Sequence, residues 1–150
     1  MLSDSGMGAV QLGETATTVK EKCDVFTDTV EMNSHGMPHR VLTVSMGLGS
    51  LKAETMNDKV TRLVITDTLL RADDGYGVNT TMQAMRLNPT LTATRDESAV
   101  IMRVATHCGI SFELDKKFAG LVKGTPITAT ALAVVPDSAR VKRVLIVGCR

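Results

Sequence analysis

Three short stretches hold residues of the types that do chemistry. His35-Gly36-Met37-Pro38-His39 sets two imidazoles four positions apart, the spacing by which one helix face chelates a metal ion. Gly36 and Pro38 break such a helix, and no paired cysteines lie nearby. The segment reads as a loop, and no metal is expected. His107-Cys108 sets a base beside a thiol, but successive side chains of a strand point to opposite faces and cannot meet. A nucleophile there needs a partner from elsewhere, such as Cys23 or His39; a buried structural Cys108 is the expectation. Gly47-Leu48-Gly49-Ser50-Leu51-Lys52 follows a predicted strand, the setting of an anion-binding turn. Lys52 stands where a dinucleotide-binding loop has its third glycine, and no Walker lysine follows. A tight turn is expected.

Asp73 and Asp74 precede Gly75-Tyr76-Gly77. They suit a hard cation, but the further acids of a calcium loop are missing at the required spacing, and a turn accounts for them. Asp67 sits in an apolar run, where a buried carboxylate needs a partner such as Arg62, Arg71 or Arg103. Lys123, Arg140, Lys142 and Arg143, with Lys116, Lys117 and Arg150, are the candidate surface for nucleic acid or another anionic partner. Phosphate contacts need charge but little motif. Strand alternation puts Lys142 and Arg143 on opposite faces, so these groups do not all share one surface. No catalytic set and no cofactor site emerges.

The elements that would position these groups are mostly strands. The clearest signal lies in the last quarter, where residues 125–135 and 141–149 alternate on either side of Pro136-Asp137-Ser138 and read as a strand pair. From Val19 the chain reads as successive strands, the first alternating over 23–30 and others over 41–46, 60–70, 98–108 and 110–114, with loops at 33–38, 73–77 and 88–89. Residues 47–58 and 78–87 suit strand or short helix, and 116–122 a short helix or loop. No internal repeat is visible. About seven or eight strands with at most one or two short helices predict an all-β sandwich or barrel. The alternative is an α+β fold with helices at 48–58 and 79–87. Residues 1–18, rich in Gly, Ser and Thr, are expected as a flexible arm ahead of a single β-rich domain over 19–150.

Composition narrows the function classes. A chain of 150 residues buries roughly 70% of its unfolded surface and supports a real core. With no Trp, one Tyr and three Phe against nine Met, that core rests on aliphatic side chains and methionine. The aromatic platforms on which single-stranded nucleic acid stacks are nearly missing. Net charge is +1, yet residues 1–74 carry 7 Lys and Arg against 11 Asp and Glu, and residues 75–150 carry 10 against 5. Such a split supports head-to-tail self-association or a basic face. Cys23, Cys108 and Cys149 are widely spaced, no signal-peptide pattern opens the chain, and no apolar run reaches the ~20 residues of a membrane span. Free thiols in a reducing compartment are therefore expected, with the protein intracellular or particle-associated.

The expected function is non-enzymatic: a β-rich structural protein that works by homo-oligomerisation. In composition the chain resembles small self-assembling proteins, virion coat proteins among them. Val141, Val144, Leu145 and Val147 of the last strand are the expected contact, through pairing of an exposed strand. One alternative is a nucleic-acid or anionic-surface binding module. The other is a small enzyme, which requires a concave pocket that gathers at least two of Cys23, His39, Asp67, His107 and Cys108.

Overall fold

The alternating runs pair into one antiparallel sheet of eight strands. The computed structural model describes residues 1–33, 35–47, 49–96, 99–122, 124 and 126–149. Three two-residue strands, β1 (Leu2–Ser3), β2 (Gly6–Met7) and β3 (Val10–Gln11), form a small sheet ahead of helix α1 (Ala16–Lys22). Then come β4 (Asp24–Met32), β5 (Pro38–Ser45), β6 (Ser50–Met56) and β7 (Lys59–Ile65). Helix α2 (Met82–Arg86) opens the second half, followed by β8 (Thr92–Asp96), β9 (Ala99–Arg103) and β10 (Ile110–Leu114). Helix α3 (Ala129–Leu132) precedes the last strand, β11 (Val141–Ile146). The large sheet runs β4-β5-β6-β7-β11-β10-β9-β8. The chain is all-β with three short helices. Its eight long strands make a single sheet whose outer strands, β4 and β8, do not pair with each other.

The two halves of that sheet repeat one plan. Each is a helix followed by a four-stranded meander, and the halves meet where β7 pairs with β11. Leu145 lies opposite Val64, with Val144 opposite Ile65 and Ile146 opposite Leu63, as a two-fold axis between the strands requires. The backbone bonds at each helix start match as well. Gly13 N and Ala16 N donate to Val60 O and Asp58 O, and Val60 N to Glu14 O; Asn79 N and Met82 N donate to Val141 O and Ala139 O, and Val141 N to Thr80 O. Gly13 and Asn79, the equivalent residues, both take positive φ, +85° and +73°, a conformation open to Gly and tolerated by Asn. The ladder slips after Glu54 in one half and after Glu113 in the other. No repeat was legible from spacing along the chain, yet the fold is internally duplicated.

Two sequence expectations change, and one open stretch takes a definite form. Residues 1–18, expected as a flexible arm, are folded: Leu2, Met7, Val10 and Ala16 are buried, and Asp4 Oδ1 accepts from Gly109 N at 2.9 Å. The predicted strand at 125–135 is replaced, within its described residues, by an isolated bridge at Ile127 and helix α3. Thr128 caps that helix by accepting from Ala131 N, and alanine favours helix over strand. The stretch 48–58, which suits strand or short helix, contains strand β6, paired on both sides. Asn57 and Asp58, at φ +50° and +63°, turn the chain into β7 with the two-residue geometry that suits a hairpin. Helix α2 falls inside the stretch where a helix was the alternative.

The helices and the small sheet cover one face. Leu42, Val44, Leu63, Ile65, Phe112 and Val144 pack there with Val19, Met82 and Met85. Phe112 is the largest fully buried side chain. On the second face Val41, Val64, Ile101 and Leu145 are buried too, but lie outside that cluster. Asn33, just past β4, and Asp96 of β8 border one cavity together with Leu145 of the centre. The sheet therefore curls, and its second face is concave.

Candidate functional site on the open edge and the concave face

Strand order decides which backbone is free. β11 lies between β7 and β10, so both of its edges are used. Val141 and Val144 are fully buried, and Leu145 nearly so; Val147 donates its N–H to Gly109 O. The residues expected to mediate self-association thus form the middle of the sheet, because the terminal strand of the chain is a central strand of the fold. The outer strands are β4 and β8. The edge of β8 is occupied near its start, at the second of its five residues, where Ile127 N donates to Ala93 O at 2.9 Å. Among the described residues β4 pairs with β5 alone.

β4 has nine residues, and Phe26, Val30 and Met32 are 59%, 71% and 66% exposed. Phe26 is the extra residue where the ladder shifts between Val25 and Thr27. From Thr27 to Met32 the pairing is regular, and Val30 and Met32 share the face of Asp28. The acids of this strand are neutralised within the chain. Asp28 accepts from Arg40 Nε and Nη2 at 2.7 Å each and from Lys20 of α1. Glu31 lies 3.8 Å from Lys52.

The bonds from Arg40, then from Lys20, hold the Asp28 carboxyl far below the ordinary carboxylate range. A group with a depressed folded pKa stabilises the fold above its unfolded value of about 3.9, and that contribution is lost as pH falls through the folded value. The docking of α1 on β4 should therefore weaken only in strong acid. Asp28→Asn should lose it at every pH and flatten the acid limb, as thermal melts of both proteins from about pH 2 to about pH 7 will check.

The concave face carries two Glu–Arg pairs in equivalent places. Arg62 Nε and Nη2 donate to both oxygens of Glu54 at 2.5–3.1 Å, and these bonds raise the Arg62 guanidinium above its usual value. Arg143 Nε and Nη2 donate to Glu113 Oε2 at 3.3 and 2.8 Å. Glu113 is 5% exposed. Beside the first pair lies a cavity of about 440 Å³ bordered by His39, Ile101, Arg103, Ser111 and Leu145. His39 Nε2 stands 3.8 Å from Glu54 Oε1, while His39 Nδ1 and Ser111 Oγ are buried with no hydrogen-bond partner.

The other candidate residues are scattered. His35 lies in the exposed turn before β5, and His39 is on β5 itself, so the two do not form a metal pair. Gly47 and Gly49 flank the β5–β6 turn and no helix follows, which removes the phosphate-loop geometry. Asp67 accepts from Ser50 N and Leu69 N at 3.1 and 2.9 Å and pins a turn without an arginine. His107 Nε2 is 2.6 Å from Asp74 Oδ2; with Asp73 these groups could offer three ligand atoms to a cation, but no orphaned buried group points there. Cys108 and Cys149, expected as free thiols, form a disulfide with Cα atoms 5.0 Å apart. Cys23 remains free, and burial pushes its thiol up. The enzyme reading asks for two of Cys23, His39, Asp67, His107 and Cys108 in one pocket, but His39 and Cys23 border different cavities.

Among the basic residues, Lys123 lies outside the described residues. Arg143 is paired to Glu113, and Arg140 Nη1 donates to Asn79 O at 3.3 Å. Lys142 and Arg143 border one cavity with Lys116, because the ladder slip next to Lys142 cancels the alternation expected of adjacent residues.

No protein-family model matches the chain, and no curated protein does. Among solved structures it is similar to the crystal structure of the uncharacterized protein yfeY from Escherichia coli, with a TM-score of 0.64 over 97% of each chain at 14% identity. The likeness is one of fold. The similarity over nearly the whole length covers both halves of the duplicated sheet and the N-terminal strands.

Proposed function

We propose that the protein is a non-enzymatic assembly module that forms a two-fold homo-oligomer by pairing the β4 edges of two copies. The observation that carries this reading is the asymmetry of the sheet's edges: β8 has five residues and is already bonded by Ile127 at Ala93, whereas β4 offers a nine-residue run with Val30 and Met32 exposed. An unprotected strand edge is a template for another strand, and proteins ordinarily blunt such edges with lysine, proline or a covering loop. The regular run from Thr27 to Met32 has none of these. Like charges do not oppose the contact, because Asp28 and Glu31 are already matched by Lys20, Arg40 and Lys52. An isologous contact closes on itself at two copies.

Light scattering at high-micromolar protein and several salt concentrations tests this. The native chain should give a dimer mass, and the double variant Val30→Lys, Met32→Lys a monomer with an unchanged circular dichroism spectrum. A sharp monomer for the native chain, or a double variant as dimeric as the parent, contradicts the proposal.

A further inference from the structure

We infer that the cavity on the concave face is a binding site for a small amphipathic carboxylate. It is separate from the β4 contact, and its wall has a polar part and an apolar part. Ile101 and Leu145 supply the apolar part, buried at 4% and 7% exposure yet outside the main core. The ladder sets Leu145 opposite Ser111. Continued by one residue past Phe112–Met102, it sets Ser111 opposite Arg103. Leu145, Ser111 and Arg103 thus form a row across the sheet, and side chains opposite one another on a face stand about 5 Å apart.

The unspent hydrogen-bonding capacity of this wall is mostly on donors. Both oxygens of Glu54 are taken by Arg62 Nε and Nη2, which leaves Arg62 Nη1 unused. Arg103 has no acceptor among the described residues. Ser111 Oγ is buried with no partner, and a buried hydroxyl without one costs free energy that a ligand oxygen can recover. Asp96 stands on the far side of Ile101 from Arg103, since Thr94 pairs with Ile101, Asp96 with Ala99 and Thr92 with Arg103. A ligand carboxylate is thereby directed to the Ser111–Arg103 end, with its apolar chain over Ile101 and Leu145. His39 Nδ1, the other orphaned atom, borders the same cavity. With Nε2–H facing Glu54, it accepts a hydrogen bond from a ligand hydroxyl, so a hydroxy acid would use the site most fully.

Sodium octanoate is the probe, followed by amide chemical shifts of the full chain, with 1-octanol and octylamine as controls. Saturable shifts centred on Ile101, Ser111 and Arg103 are expected, with octanoate binding about tenfold more tightly than either control. Arg103→Gln should weaken octanoate about tenfold, and Ser111→Ala roughly three- to tenfold. Ser111→Ala should also leave the unliganded protein at least as stable as the parent, because the hydroxyl it removes is buried and unpaired. Equal binding of octanoate and octanol, shifts centred elsewhere, or Arg103→Gln binding octanoate as the parent does would each overturn the assignment.

Discussion

Reduction of the Cys108–Cys149 disulfide is expected to lower stability by about 4 kcal/mol. The two cysteines are 41 residues apart, and closing a loop of that length removes about this much chain entropy from the unfolded state. The bridge also ties the segment after central strand β11 to the turn after β9, next to Asp4 of the folded N-terminus. For a chain of this size the loss corresponds to a melting point lower by roughly 8–16 °C. Denaturant unfolding of a Cys23→Ser protein, with and without reductant, measures it with the bridge as the only thiol variable. Curves that coincide would show that the bridge contributes nothing. A disulfide of this kind persists in oxidising surroundings.

The second large effect should come from the Glu113–Arg143 pair, and it should be asymmetric. Glu113 is 5% exposed, while the Arg143 side chain is 36% exposed. Arg143→Ala strands a carboxylate in a buried site and should cost about 3 kcal/mol, near the lower end for breaking a buried pair. Glu113→Leu removes the acid and leaves an arginine that can turn to water, so it should cost no more than about 1 kcal/mol. The equivalent Arg62→Ala should cost less than Arg143→Ala, because Glu54 is more exposed and keeps His39 beside it. Urea unfolding of the three variants decides the ranking. Equal losses for Arg143→Ala and Glu113→Leu would mean that burial of the acid is not what makes the pair matter.

Much of the fold was legible in the residues. β5, β7, β10 and β11 follow from alternation of β-branched and aliphatic side chains, and the all-β class follows from their number. The misread segments share a cause, which is that the pattern came from residues with small or ambiguous side chains. Residues 127–135 alternate largely through Ala and Thr, which define no apolar face, and Thr128 caps a helix instead. Leu51, Glu54 and Asp58 have helical spacing, but the buried set is Leu51, Ala53 and Thr55, which is strand spacing. Leu2, Met7 and Val10 are too irregularly spaced to betray three two-residue strands.

The duplication could have been seen. Lys59-Val60-Thr61-Arg62-Leu63-Val64-Ile65 and Arg140-Val141-Lys142-Arg143-Val144-Leu145-Ile146 match in type at every position except one. What hides it is connection length: two residues join β6 to β7, whereas the path from β10 to β11 carries a helix. The sites were less legible, for a different reason. Glu113 and Arg143 are 30 residues apart in sequence and meet only through sheet register. His39 was a candidate, but Glu54 beside it and Ser111 across the same cavity come from other strands. Strand order is likewise not written in any local pattern, so the terminal strand reads as an exposed one while nothing in the residues of β4 distinguishes it as the open edge.

Amide hydrogen exchange across Thr27 to Met32, followed over a range of protein concentrations, tests the assembly reading most directly. Pairing of two β4 edges predicts exchange that is fast in dilute protein and slows as concentration rises, with the change confined to β4. Fast exchange at β4 that stays the same at every concentration would contradict it.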